Sequence, residues 1–243
     1  MNDSGWNEHA QWWIDGFTNG ADPEYEEQII PMAVAELTGF TNIVDIGCGD
    51  GQISRALAQQ GSSVLGIDPT ELHIDIARER GGGPRYEIGS ATQIPVADQS
   101  QDAAIACLVF EHIDEVDAAI AEVSRILKPG GRFSFFLNHP LLQTPGSGWV
   151  DDHIIDPPEQ YWRIGPYLIE SESIEEVERD VFIRFIHRPL SRYVNTLIEN
   201  KLVINRMIEA SPPEGFLERA PEYSLASTIP RLLYIRATKA TAQ

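Results

Sequence analysis

Cysteine is scarce in this chain: two residues, Cys48 and Cys107, among 243. Each lies at the end of an apolar, strand-like run. They read as reduced thiols of a cytoplasmic protein, which excludes a disulfide framework. Long hydrophobic runs are missing as well. No stretch approaches the ~20 apolar residues that cross a bilayer, so no membrane partner is expected. The first residues, Met1-Asn2-Asp3-Ser4-Gly5-Trp6, lack the basic-then-apolar order of a secretory signal. Positive charge is also in short supply. Against 37 Asp and Glu stand 18 Lys and Arg, a formal net charge of -19. So acidic a surface repels phosphate backbones and anionic headgroups. It argues against a nucleic-acid partner and for a small neutral or cationic molecule. Solubility in a salty cytoplasm accounts for the acidity equally well. Metal-ligand spacing is absent too. Asp151, Asp152 and His153 adjoin one another, but neighbours in sequence rarely converge on one ion. They read as a solvated acidic loop, and no metal is expected.

What the chain does have is alternation. Short apolar runs at Ile43–Ile46, Ser63–Ile67, Tyr86–Gly89, Asp102–Leu108 and Arg132–Leu137 read as strands. Segments of helical character fall between them at Gln52–Gln60, Thr70–Arg80 and Asp114–Leu127. Lys128-Pro129-Gly130-Gly131 stops the last of these helices. Such βα alternation predicts an α/β fold, a parallel sheet with helices on both faces. The length suits a single domain spanning residues 1–243. Residues 1–40 form an N-terminal helical cover in this reading: an aromatic face of Trp6, Trp12, Trp13 and Phe17, then a helix from Pro23 to about Thr38. After Asn138 the rhythm breaks, and Pro, Gly and aromatic residues crowd the next 30 or so positions. Residues 139–187 are therefore expected to be an inserted cover, with Val177–His187 extended or, alternatively, Glu172–Val181 helical. Pro189–Asn200 reads as a helix, and Leu202–Glu209 and Arg231–Thr238 as strands.

The most informative stretch is Val44-Asp45-Ile46-Gly47-Cys48-Gly49-Asp50-Gly51, with Asp68 closing the next apolar run. A strand runs into a glycine turn that lets backbone approach a ligand, and the following helix aims its N-terminus at that ligand. Asp45, Gly47, Gly49 and Gly51 resemble the first motif of the class I S-adenosylmethionine-dependent methyltransferases, and Cys48 is frequent there. The resemblance extends along about Asn42 to Leu137. Asp68 in Gly66-Ile67-Asp68-Pro69 matches the acidic residue that holds ribose hydroxyls. Gly89-Ser90-Ala91-Thr92-Gln93-Ile94-Pro95 matches the third motif, with Ser90 where the family often has an acidic residue. Asp102–His112 and Glu122–Gly131 are similar to the fourth-strand segment and the turn into strand five. The resemblance implies a Rossmann-like, mostly parallel seven-stranded sheet and S-adenosylmethionine as cofactor. Its expected contacts are Asp45, Gly47, Cys48, Gly49, Gln52, Asp68, Pro69, Ser90, Ala91, Thr92, Cys107 and Leu108.

Three residues are candidates for proton transfer. His139 follows strand five in Asn138-His139-Pro140, where Pro140 fixes the backbone. It either aims into the cleft as a base or hydrogen-bonds the cover, and both readings stay open. Glu111 and His112 end the fourth motif, where the resemblance favours a packing role for His112 beside the cofactor. Arg184, His187, Arg188 and Arg192 form the basic cluster of the chain and are expected to pair with Glu175, Glu176 and Glu178. The leading expectation is methyl transfer to a small molecule, with O-methylation slightly preferred. One alternative is a cofactor-binding protein of the same fold that transfers no methyl group, a regulator or a cyclase. An NAD(P)-dependent oxidoreductase is a third reading, disfavoured by Asp45 and the glycine spacing. Whether a second copy of the chain is a homodimer partner stays open.

Overall fold

The computed structural model describes residues 5–219, 221–223 and 225–241. The chain enters as α1 (Trp6–Phe17), whose rings turn inward: Trp13 stacks on Phe17 at 4.4 Å and meets Trp6 edge-on at 5.4 Å. The helix expected from Pro23 to about Thr38 runs unbroken from Pro23 to Leu37, but its winding changes along the way. Tyr25–Ile29 is a π-helical turn, and α2 follows as Ile30–Leu37. Pro31 accounts for the change of winding, because it has no N–H to continue the ladder.

Then come β1 (Asn42–Ile46), α3 (Gln52–Gln59), β2 (Ser63–Asp68), α4 (Glu71–Arg80), β3 (Arg85–Ile88), β4 (Gln101–Cys107), α5 (Val116–Ile126) and β5 (Leu127–Asn138). The Lys128–Gly131 turn lies inside the span of β5. Gln101 of β4 pairs with Leu127 and Ala103 with Arg132, so the turn loops out where the register slips. The second half adds β6 (Gly148–Asp152), β7 (Glu159–Arg163), β8 (Ser171–Glu178), β9 (Val181–His187), α6 (Leu190–Glu199), β10 (Leu202–Ala210) and β11 (Leu232–Lys239).

Seven strands form one sheet in the order β10-β11-β5-β4-β1-β2-β3. The five from β5 to β3 pair in parallel, and β11 and β10 add on antiparallel. Parallel strands are covered on both faces, which explains their almost unbroken apolar sequences. Alternate residues separate the two cores: Val44, Ile46, Phe133 and Phe135 pack on one side, Ile43, Ile105, Phe136 and Tyr234 on the other.

Residues between β5 and α6 build two antiparallel hairpins, β6–β7 and β8–β9. The helical alternative for Glu172–Val181 is thereby overturned. From Ser171 to Glu175 burial alternates residue by residue, the period of a strand with one covered face. The hairpin leans on α1, with the Trp12 indole N–H donating to Glu178 at 2.5 Å and the Phe182 amide to His9 at 3.3 Å. Among the described residues no helix is long and apolar enough to cross a membrane.

Candidate functional site

The loop after β1 is set by what surrounds it. Gly47 and Gly51 have φ of 69° and 83°, where an L side chain is strained. A Cβ at Gly47 would run into the Val109 side chain, and one at Gly51 into the Tyr86 ring. The Ile67 carbonyl of β2 accepts the Gly47 and Cys48 amide protons at 2.8 and 3.0 Å. Asp68, at the end of β2, completes the join. Its Oδ2 accepts the Gly49 N–H at 3.0 Å and its Oδ1 the Thr70 N–H at 2.9 Å. A carboxylate has lone pairs left after two such bonds, so Asp68 can still receive ligand hydroxyls. Asp45 lies beneath, 1 % exposed, its Oδ2 accepting the Ser54 hydroxyl at 2.6 Å. Burial raises its pKa to about 6.

These elements wall a cavity of about 590 Å³ at the carboxyl ends of β1, β2 and β4. All twelve residues singled out as cofactor contacts lie on its wall: Asp45, Gly47, Cys48, Gly49, Gln52, Asp68, Pro69, Ser90, Ala91, Thr92, Cys107 and Leu108. The Ser90 hydroxyl takes the Thr92 amide at 3.2 Å and so shapes its own loop. Both cysteines are free and buried, and burial holds both thiols well above their usual pKa. Trp6, Trp13, Tyr25 and His73 also line the cavity. The aromatic spacing of α1 pointed to the tryptophans, whereas Tyr25 and His73 carried no motif.

The wall suits a polar nucleoside ligand with a charged tail. The N-terminus of α3 opens on the cavity at Gly51 and Gln52, a place for a ligand carboxylate. The Asp68 carboxylate lines the cavity and can accept hydrogen bonds from paired hydroxyls. Gln52 Oε1 and both ring nitrogens of His73 are buried and have no hydrogen-bond partner in the structure. Unpartnered polar atoms on a cavity wall are costly, and a ligand with donors and acceptors relieves them.

A second cavity, about 740 Å³, adjoins the first and shares Trp13, Tyr25 and Leu108 with it. Its walls come from α1, the segment around Asp22–Tyr25, both hairpins and the chain between β10 and β11. Trp149 stacks on Tyr223 at 5.3 Å and meets Trp162 edge-on at 5.6 Å. Asp22, Glu24, Glu175 and Arg231 are its charged lining residues.

The proton-transfer candidates separate here. His112 lines the first cavity, and its ring lies 4.7 Å from that of Phe185, which lines the second. Its Nδ1 is 2.8 Å from the Arg184 carbonyl, an acceptor only, so the proton sits on Nδ1 and Nε2 keeps its lone pair. Burial lowers its pKa to about 4, so the ring is neutral near pH 7. Glu111 lines neither cavity. Its Oε1 accepts the Asn138 amide at 3.2 Å and the Asn138 side chain at 2.8 Å, tying the end of β4 to the end of β5. Burial pushes its pKa up to about 7. His139 also lines neither cavity. Its Nδ1 accepts the Leu141 amide at 3.1 Å, and its Nε2 donates to Glu209 at 2.9 Å. Of its two readings, the structure therefore presents hydrogen bonding to neighbouring chain, because both nitrogens are engaged away from the cleft.

The basic cluster pairs with other acids than expected. Arg184 binds Asp114 at 2.5 Å and Glu172 at 2.6 Å, and Arg192 binds Asp117 at 2.7 Å and Glu170 at 3.1 Å. Arg188 donates to the carbonyls of Phe110, Ile113 and Asp114, and His187 meets that of Tyr167. The hairpin turn decides this. Glu176 and Glu178 are exposed on β8, and Glu175 turns to Ser173 instead.

Residues 44–135 match the methyltransferase domain family. A solved S-adenosylmethionine dependent methyltransferase from Mesorhizobium loti superposes with a TM-score of 0.73 at 28 % identity, over 86 % of this chain and 96 % of that one. The malonyl-[acyl-carrier protein] O-methyltransferase of Serratia marcescens is 33 % identical over 108 residues, 44 % of this chain and 42 % of the relative. The ubiquinone biosynthesis O-methyltransferase of Agrobacterium fabrum is 35 % identical over 116 residues, 46 % of each. The chain thus aligns with less than half the length of these curated relatives. Glycine loop, Asp68, sheet order and the likeness along nearly the whole Mesorhizobium structure agree: residues 44–135 are a methyltransferase domain, and the chain has the fold of the class I S-adenosylmethionine-dependent methyltransferases, whose cofactor is S-adenosylmethionine.

Proposed function

We propose that the chain transfers a methyl group from S-adenosylmethionine to a small molecule, with the cofactor in the first cavity and the acceptor in the second. The observation that carries this reading is the adjacency of the two cavities, which share the Trp13, Tyr25 and Leu108 side of their walls. When bound, the cofactor supplies an electrophilic methyl group on a sulfonium. The protein's part is to line up the acceptor atom with the sulfur–methyl bond and keep water out, which accounts for most of the acceleration in a displacement of this kind. Asp68 and the loop from Gly47 to Gly51 hold the nucleoside end. The rings of Trp6, Trp13 and Tyr25 wall off solvent.

His112 is the proton-transfer candidate that reaches the cavity wall. A pKa of about 4 makes its Nε2 a poor store for a proton and a good acceptor of a hydrogen bond. It accepts a hydrogen bond from an acceptor O–H and passes the proton released on methylation on to solvent rather than keeping it. Glu111 and His139 act through the backbone they fix. O-methylation is the finer reading, supported by the names of both curated relatives.

The test is calorimetric titration with S-adenosylmethionine, S-adenosylhomocysteine and NAD, followed by a screen of hydroxyl, carboxyl and amine acceptors for S-adenosylhomocysteine formation. Binding of the first two ligands and turnover with one acceptor class is the expected result. Binding without turnover across the screen would favour a cofactor-binding protein. Binding of NAD alone would end the methyl-transfer reading.

A further inference from the structure

We infer that the second cavity takes an aromatic or polycyclic molecule carrying a protonated nitrogen, and that Asp22 receives that nitrogen. This deepens the proposed function and rests on it for the identity of the ligand as methyl acceptor.

The argument starts from the balance of charge on the wall. Among the described residues the lining carries three acids, Asp22, Glu24 and Glu175, and one cation, Arg231. Arg231 is already committed: its Nε donates to Glu24 at 2.9 Å, and its guanidinium lies 4.3 Å over the Phe216 ring. Asp22 and Glu175 are left without a counter-charge in the lining. Asp22 is 8 % exposed, and its Oδ1 accepts the Glu24 amide at 3.1 Å. Among the described residues its Oδ2 accepts no hydrogen bond. Arg231 and Arg219 influence it at longer range without forming an ion pair. Burial already holds the Asp22 carboxyl above its usual pKa, a sign of missing solvation. A carboxylate with an open acceptor on a cavity wall is matched by a ligand N–H that brings both charge and donor.

The remaining wall favours the same ligand. Trp13 and Phe17 offer stacked rings on one side, and Trp149 and Tyr223 on the other. Flat π-faces bind aromatic bodies by area and cations by quadrupole. An anionic ligand would meet like charge at Asp22 and Glu175. A purely apolar ligand would leave Asp22 buried and unpaired.

Three phenols that differ only in their tails test this: tyramine, 3-(4-hydroxyphenyl)propanoate and 4-ethylphenol. Their binding to the protein saturated with S-adenosylhomocysteine is measured by ligand-observed NMR titration. Tyramine is expected to bind about 10-fold more tightly than the propanoate, with the neutral phenol between them. Asp22→Asn keeps the oxygen that accepts the Glu24 amide and should shrink the preference to about 2-fold. Glu175→Gln keeps its bond from Ser173 and should give a smaller loss in the same direction, which covers the case in which the Asp22 variant does not fold. Asp75→Asn, an exposed acid on α4, controls for overall charge and should change nothing. Equal or tighter binding of the propanoate, a preference untouched by both cavity variants, or no binding of any of the three overturns the inference. Turnover of a neutral or anionic acceptor would overturn it while leaving methyl transfer intact. Tyramine binding without turnover of any acceptor would do the reverse.

Discussion

Glu111 offers a quantitative check on the reading of β4 and β5. It is 3 % exposed, it binds Asn138 through one oxygen, and its Oε2 is buried without a partner. Burial is the leading cause of its rise from 4.5 to about 7, and the positive charge of Arg188 offsets only part of it. The folded protein therefore keeps a proton that the unfolded chain releases between those two values. The contribution of this group to stability is fully present below pH 4.5 and is lost as pH rises through about 7. The gap corresponds to roughly 3 kcal/mol, of which about 2–3 kcal/mol falls between pH 5 and pH 8. Glu111→Gln retains the oxygen that accepts from Asn138 and cannot ionise. Its amide N–H groups take the place of the unpartnered Oε2 and cost ~1–3 kcal/mol, but equally at both pH values. The observable is thus the change in the parent–variant difference, read by urea unfolding followed through tryptophan fluorescence. The variant should gain about 2–3 kcal/mol on the parent in going from pH 5 to pH 8. A difference that stays constant across this range would refute the argument. Turnover measured alongside should be largely preserved, since Glu111 reaches neither cavity. A collapse of kcat in a well-folded Glu111→Gln protein would return it to the list of proton-transfer groups.

Three further outcomes are expected. Asp68→Ala removes both the acceptor for ligand hydroxyls and the clamp on Gly49, so calorimetry should show S-adenosylhomocysteine affinity falling by about 100-fold, while Asp68→Asn falls by about 10-fold; unchanged affinity in Asp68→Ala would remove Asp68 from the site. Gly51→Ala forces a side chain into φ of 83° and into the Tyr86 ring, and should lower Tm by roughly 5–10 °C in a thermal scan. His112 is neutral throughout the range where an ordinary histidine titrates, so kcat/KM should show no His112-dependent break near pH 6.5; a break there that His112→Phe abolishes would contradict the low pKa of about 4.

The sequence spoke clearly where backbone geometry and ligand chemistry impose the same residues. The loop from Gly47 to Gly51 needs positive φ and room for neighbours, and Asp68 both clamps the Gly49 amide and lines the cavity. Both features leave marks that can be read from one chain. The inner parallel strands were equally legible, because burial on two faces makes β1, β2 and β4 apolar runs. In the second half α6, β10 and β11 were legible too, but the segment between β5 and α6 was not. A hairpin packed on one face alternates, and Ser171–Glu178 mixes that signal with enough Glu to look helical. The proton-transfer candidates failed to sort for a different reason. Glu111 and His112 sit in the turn Phe110–His112 beyond β4 and His139 directly follows β5, places where a side chain turns either into the cleft or into the chain behind it. Which way each turns depends on partners far away in sequence: Arg184 for His112, Glu209 for His139, Asn138 for Glu111. Asp22 and Tyr25 escaped notice on the same grounds. Neither belongs to a motif, and their place beside the cofactor cavity follows from the π-helical turn at Tyr25–Ile29 and from the aromatic packing of α1. The cofactor half of the site is thus written locally, in residues that contact each other through one βαβ unit. The second cavity is assembled from α1, both hairpins and the segment before β11, and its lining appears only when those distant parts meet. The family model accordingly matches residues 44–135, the part that builds the first cavity's glycine loop and β2 carboxylate, and leaves the walls of the second cavity largely outside it.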